Sequence, residues 1–299
     1  MGCAELGDPT EVFRFNHEYL IIFNKQEINM HALQNTFNTA KTTQSSPWLY
    51  PFSQTESKHS KIRLYCFPYA GGNANVFAKW PAALGNLIDV CAIALPGRWQ
   101  RQQEPSIACI YTLAWEIATA LRDQPPKPFV FLGHSMGALL AFEVIQELRR
   151  QGAMLPEHLF VSGAQAPHTL NEAGANRRKK VSDMDAQEFF NYLHILSGTP
   201  EALLKDPQMR EYIMLSMQPD LQAIDDWHYK PTKPLQQNIS VFVGADDPVV
   251  DISAAKSWRQ HTAHQCDTSI IPGDHFFINT HTSLMAGKIK RILELENII

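Results

Sequence analysis

A serine stands between two glycines in Gly133-His134-Ser135-Met136-Gly137, directly after the apolar run Phe129-Val130-Phe131-Leu132 and directly before residues with helical spacing. That setting suits a nucleophile. On a sharp strand-to-helix turn the hydroxyl is pushed outward, and its neighbours must be nearly without side chains because anything larger collides with adjacent backbone. The chemistry is attack on a carbonyl carbon. A serine hydroxyl does this only when a base takes its proton and an acid fixes that base.

With this motif the chain order is nucleophile, acid, histidine. Asp247, in Val243-Gly244-Ala245-Asp246-Asp247-Pro248 after a β-rich run, is the preferred acid, ahead of Asp246 and then Asp251. Of the twelve histidines, His275 in Pro272-Gly273-Asp274-His275-Phe276-Phe277 follows the last expected strand and is read as the base. His261 and His264 fall in a helix or its exit and are expected to be solvent-exposed. His134 is read as a packing or hydrogen-bonding neighbour, and His158 and His168 receive no role. The oxyanion formed on attack needs backbone N–H donors. Met136, at a helix N-terminus, supplies one. The loop Phe67-Pro68-Tyr69-Ala70-Gly71-Gly72 is expected to supply the other from Ala70, with Tyr69 beside it.

The elements that must hold these groups alternate strand and helix. Residues 62–67, 89–95, 129–132, 159–163, 239–243 and 268–271 read as strands, most of them continuous apolar runs of the kind buried on both faces of a parallel sheet. Helices are expected over 76–87, broken early by Pro81, over 111–122 with Leu113, Trp115, Ile117 and Leu121 on its apolar face, after Ser135 as far as Gly152, over 253–261, and at the C-terminal end. Three helical segments, 186–196, 207–217 and 220–228, interrupt the rhythm between 167 and 233. The fold class is therefore α/β: an α/β-hydrolase fold, a mostly parallel sheet with flanking helices and a helical lid insertion at about 167–233. Residues 1–60, rich in Asn, Gln, Thr and Ser, form an N-terminal extension ahead of the domain at 61–299, with Trp48-Leu49-Tyr50-Pro51-Phe52 as an apolar strap. Met30 is read as an alternative start.

Composition narrows the partners. Over 299 residues the net charge is −4, with 44% apolar and 19% charged residues, so a large core is expected and no basic field for nucleic acid. The run Arg177-Arg178-Lys179-Lys180 reads as a solvated loop. Five widely spaced cysteines with no C-x-x-C pair suggest neither a disulfide framework nor a metal site, and no cofactor is expected. No run is long enough to span a bilayer, no basic signal region is present, and Leu6 stands where a myristoylation motif wants Ser or Thr. A monomer in the cytoplasm, without membrane or nucleic-acid partners, is expected.

Further motifs have no role in generic hydrolase chemistry: Leu95-Pro96-Gly97-Arg98 with Arg101 and Glu104-Pro105, Ser162-Gly163 with Ala166-Pro167-His168, and Leu196-Ser197-Gly198-Thr199-Pro200. Together with the Ala70 loop, the Ser135 elbow and the His275 motif, they make the chain from about Trp48 onward resemble the type II thioesterases that accompany non-ribosomal peptide synthetases and polyketide synthases. The resemblance implies hydrolysis of acyl groups from the phosphopantetheine arm of an acyl or peptidyl carrier protein, through an acyl-Ser135 intermediate. It implies an acyl pocket in the lid, with Phe190 and Met217 among the candidates, and gives Arg98 two readings: a contact to the carrier or pantetheine phosphate, or a brace for its loop. Gln218 and Leu221 depart from the family's usual Arg and Phe, and residues 1–47 carry no part of the resemblance. A medium-chain fatty-acyl carrier thioesterase and a general carboxylesterase are the alternative enzymes. A non-catalytic binding module on the same fold has no need of an aligned triad.

Overall fold

The protein is described from a computed structural model that covers residues 46–53, 59–172, 179–195 and 207–299. Seven strands form one sheet: β1 (Leu49–Pro51), β2 (Ile62–Phe67), β3 (Ile88–Ile93), β4 (Phe129–His134), β5 (His158–Ser162), β6 (Asn238–Gly244) and β7 (Cys266–Ile271). The helices are α1 (Trp80–Leu84), α2 (Ile110–Arg122), α3 (Met136–Arg150), α4 (Pro167–Glu172), α5 (Ala186–Ile195), α6 (Pro207–Asp226), α7 (Ile252–Lys256), α8 (Phe277–Thr280) and α9 (Thr282–Leu295). The strand order is β1-β3-β2-β4-β5-β6-β7, parallel throughout except for β1 against β3.

The apolar runs explain the layering. Every residue of β4 and β5 is buried, as a parallel strand covered on both faces requires. Alternate residues of the strands point into two cores. Phe67, Phe131, Val161 and Val241 meet the apolar faces of α2 and α3, while Leu64, Val130, Phe160 and Phe242 meet α1 and α9. Within α2 the buried positions are Ile110, Leu113, Ala114, Ile117, Ala118, Ala120 and Leu121. Trp115, expected on that face, falls outside the arc they define and is 48% exposed.

The chain runs outward from β2 to β3 and returns to β4 on the other side of β2, so the order reverses between β2 and β4. Loops leaving two adjacent strands at such a reversal diverge and leave a crevice at their C-terminal ends. The loop after β2 and the turn after β4 border it.

Two helices differ from expectation at a proline. Pro81 lies in the first turn of α1, where its missing N–H costs nothing, and so starts the helix instead of breaking it. The segments expected over 207–217 and 220–228 are one helix, α6, continuous through Pro219. The 48–52 strap pairs with the sheet as β1, with Trp48 buried and Arg101 stacked on its ring at 4.2 Å. Gly152 ends the helix after Ser135 at φ +64°. Residues 1–45, the Leu196-to-Pro200 motif, and Arg177 and Arg178 lie outside the described residues.

Candidate active site

Ser135 connects β4 to α3 with φ 54° and ψ −119°, a conformation that costs a residue with a Cβ about 1–3 kcal/mol. The surroundings impose it. Ser135 N–H still donates to Ser162 O at 2.8 Å, as if the strand continued, while α3 begins at the next residue. A Cβ on Gly133 would lie 2.3 Å from Gly137 O, and one on Gly137 would lie 2.1 Å from Phe67 O. The two glycines thus let α3 close onto its own strand and onto the end of β2.

His275 and Asp247 reach the serine from neighbouring strand ends. Ala245 N–H donates to Ile271 O at 2.8 Å and Asp246 N–H to Gly273 O at 3.0 Å, which ties the loop after β6 to the loop after β7. Asp247 Oδ2 lies 2.8 Å from His275 Nδ1, and His275 Nε2 lies 3.0 Å from Ser135 Oγ. A carboxylate only accepts, so Nδ1 carries the proton and Nε2 is left to accept from the serine hydroxyl. The Asp247 side chain is wholly buried, and its Oδ1 accepts from Val249 N–H at 2.8 Å and Val250 N–H at 3.1 Å. Of the other two acids, Asp251 caps α7 through Ser253 and Ala254 N–H, and the Asp246 residue is exposed.

Beneath the pair lies the histidine read from sequence as a packing or hydrogen-bonding neighbour. His134 is fully buried, its Nε2 2.9 Å from His275 O and its Nδ1 2.9 Å from Ser162 Oγ. The carbonyl fixes the tautomer: Nε2–H donates to it, and Nδ1 accepts from Ser162. Burial, then the nearby His275, hold the His134 pKa well below the usual histidine value, so the ring is neutral. Gly163, at φ +56°, makes room for it, since a Cβ there would lie 2.7 Å from His134 Cε1. The Ser162-Gly163 motif is thereby explained as the seat of a ring that supports the backbone of His275.

On the other side, Gly72 N–H donates to Tyr69 O at 2.8 Å with Gly71 at φ +75° and Ala70 outside the positive-φ residues, which makes 69–72 a type II turn. Among the described residues, no acceptor takes Ala70 N–H. Tyr69 is pinned: Asn279 Nδ2 donates to its hydroxyl at 3.2 Å, its ring packs edge-on against His134 and Phe276, and burial pushes the phenol pKa up. The Arg98 reading as a phosphate contact is corrected. Arg98 is 3% exposed and its guanidinium is occupied by Asp220, so it braces its loop. Phe190 is buried, and it borders a cleft of about 900 Å³ between α5 and α6 whose lining includes Met214, Gln218 and Pro219 but neither Ser135 nor His275. Met217 lies against Gly71.

His261, expected to be exposed, is buried in contact with Trp258 and Tyr229, its Nε2 2.8 Å from His168 Nδ1. Alternation alone could not reveal that pairing. Among the described residues, no His, Cys, Asp or Glu cluster could hold a metal ion, and no helix is long and apolar enough to cross a membrane.

A serine, histidine and aspartate in hydrogen-bonded series is common to many hydrolases, so sequence relatives decide the family. The thioesterase domain model matches residues 62–293. The chain belongs to the thioesterase family. This thioesterase is 34% identical over 219 residues to the gramicidin S biosynthesis protein GrsT of Aneurinibacillus migulanus, covering 73% of the chain and 84% of that protein. It is also 32% identical over 245 residues to the medium-chain S-acyl fatty acid synthase thioesterase of Rattus norvegicus, covering 79% and 90%. Among solved structures it is similar to the type II thioesterase BorB from the borrelidin biosynthetic cluster, with a TM-score of 0.72, 30% identity and coverage of 84% and 99%. These likenesses bear out the resemblance read from the motifs and the α/β-hydrolase fold expected for the thioesterase.

Proposed function

We propose that this thioesterase hydrolyses acyl groups from the phosphopantetheine arm of carrier proteins in non-ribosomal peptide or polyketide biosynthesis, with Ser135 as nucleophile, His275 as base and Asp247 as its orienting acid. The observation that carries the reading is the hydrogen-bonded series Asp247, His275, Ser135, ending beside the start of α3. Ser135 Oγ attacks the thioester carbonyl as its proton passes to His275 Nε2. The tetrahedral oxyanion is received by Met136 N–H and Ala70 N–H. Collapse breaks the C–S bond, and His275 returns the proton to the departing pantetheine thiolate. Water then attacks the acyl-serine with His275 again as base, releasing a carboxylic acid and regenerating the hydroxyl. A thiolate leaves readily, so the protein has chiefly to position the ester and stabilise the oxyanion. In the same reading residues 167–233 act as a lid over the acyl group.

The test is a substrate panel with intact-mass analysis. An acyl adduct on wild type but not on Ser135→Ala, with acyl-pantetheine carriers turned over faster than acyl-coenzyme A or p-nitrophenyl esters, is the expected result. Faster turnover of simple esters would overturn it. The likeness to the rat enzyme motivates one further arm: preference for a medium-chain fatty-acyl carrier over short or aminoacyl carriers would replace the peptide and polyketide assignment.

A further inference from the structure

The helical insertion meets the oxyanion side of the site through one carboxylate. Asp220, on α6, is 1% exposed, and its Oδ2 accepts Gly71 N–H at 2.8 Å. Arg98 grips the same carboxylate at both oxygens, with Nη2 at 2.7 Å from Oδ1 and Nη1 on Oδ2, and also donates to Gly72 O and Pro96 O, both at 3.4 Å. One turn earlier on α6, Met217 closes over Gly71.

The Ala70–Gly71 peptide is the central peptide of a type II turn. Such a peptide flips toward type I by counter-rotation about the bonds on either side, and glycine at the third position, free of a Cβ, offers little resistance to either state. Its N–H therefore needs an acceptor to settle the orientation. Asp220 is that acceptor, and it belongs to a different part of the chain from the loop it holds. The same hydrogen bond, with Arg98 on Gly72 O, also tethers the turn that carries Ala70 N–H, the donor in the reading above.

We infer that Asp220 is a positioning residue for the oxyanion hole: its carboxylate, taking Gly71 N–H and held by Arg98, which also reaches Gly72 O, ties the 69–72 turn to α6 and so sets where Ala70 N–H stands relative to Ser135. This rests on Ala70 and Met136 being the oxyanion donors. It also makes the hole complete only while α6 is seated on the loop.

Removing Asp220 alone would strand a buried guanidinium and confuse folding with function. Two paired variants avoid that. Arg98→Met with Asp220→Leu removes both charges and leaves Gly71 N–H without an acceptor. Arg98→Met with Asp220→Asn removes both charges and returns an oxygen to it. With a butanoyl thioester of N-acetylcysteamine, the leucine variant should lose about 30-fold in kcat with KM within about twofold, a fraction of the loss expected for deleting a donor outright. Its Ki for butylboronic acid, which adds to Ser135 and presents a tetrahedral anion, should weaken by the same factor. The asparagine variant should recover to within about threefold on both measures. If the leucine variant does not fold, Asp220→Ala with Arg98→Met takes its place. Equal rates in the two folded double variants, or a leucine variant as fast as wild type, overturn the proposal. Ser135→Ala run alongside separates the failures: hydrolysis surviving in it overturns the active-site reading and this inference together, whereas an inactive Ser135→Ala with a fast leucine variant overturns the inference alone.

Discussion

At Ser135 the demands of reactivity and stability oppose each other in a single φ angle. A glycine there would adopt φ 54° without steric cost. Ser135→Gly is accordingly expected to abolish hydrolysis and to raise stability by about 1 kcal/mol in urea unfolding, after part of the relief is offset by the entropy of the unfolded glycine. Two residues on, the demand reverses. Gly137→Ala would drive a methyl to 2.1 Å from the Phe67 carbonyl, a backbone atom with no rotamer to escape into. A loss of about 2–4 kcal/mol in the same measurement is expected. The acid permits a sharper argument. Val249 and Val250 N–H both donate to Asp247 Oδ1, so in Asp247→Asn the amide oxygen must stay there and the NH₂ must face His275. His275 Nδ1 then has to accept, its proton moves to Nε2, and Nε2 can no longer take the proton of Ser135. We expect kcat to fall by about 10³- to 10⁴-fold with the fold intact, and a loss under tenfold would contradict the assignment.

At the level of elements, α6 is anchored near both ends, to its neighbour α5 and to α3 beside the sheet. Near its N-terminal half Arg210 lies over the Phe190 ring at 4.0 Å, and just past its C-terminal end Trp227 Nε1 donates to Glu143 Oε1 on α3 at 3.0 Å. Burial raises the Glu143 pKa to about 7, against the opposing hydrogen bond from Trp227 and the charge of Lys230. A carboxyl raised in the folded state costs nothing below its unfolded pKa near 4.5 and costs progressively more as pH rises from there to about 7, because the folded protein resists ionisation. Glu143→Gln keeps the acceptor for Trp227 and removes the charge. It should leave stability unchanged at pH 4.5 and raise it by about 1–2 kcal/mol at pH 8, read from paired denaturation curves. Such anchors show what sequence patterning conveys. The strands were legible because burial on both faces writes itself as uninterrupted apolar runs, and the order Ser135, Asp247, His275 was legible because successive strand ends deliver the groups in turn. Asp220 was not legible, because its meaning depends on a partner 122 residues away at Arg98. The single helix α6, expected as two segments over 207–217 and 220–228, was hidden for a related reason. The missing donor of Pro219 favours a local break, and only tertiary contacts of α6 on either side of it carry the helix through.

Across the whole molecule, the buried histidines set how stability responds to acid. His134 lies under the site, and His261 ends the 3-10 helix Ser257–His261 that follows α7, in contact with Phe142 of α3, Trp258 and Tyr229. Burial, then the neighbouring His168, lower the His261 pKa to about 4, and burial lowers that of His134 well below the ordinary 6.5. A histidine with a depressed folded pKa binds protons in the unfolded chain first. Its neutral form therefore supports the fold fully above pH 6.5, and the support is lost as pH falls from 6.5 toward 4, below which His261 itself is protonated and the difference is constant. Glu143 works in the opposite sense over much of the same range, so the measured slope is a balance, and substitution is needed to resolve it. His261→Gln places an amide where Nε2 meets His168 and cannot take up a proton. Unfolding free energy of the wild type should fall more steeply between pH 6.5 and 4 than that of the variant, by about 1–2 kcal/mol across the window once partial solvation of the ring edge is allowed for. Parallel curves would mean that His261 takes up its proton in the folded protein as readily as in the unfolded chain, which the packing of three aromatic rings and His168 around it argues against. Thermal unfolding of His261→Gln at pH 7 and pH 4.5 gives the same comparison by an independent route, with the variant's Tm moving less between the two values than the wild type's.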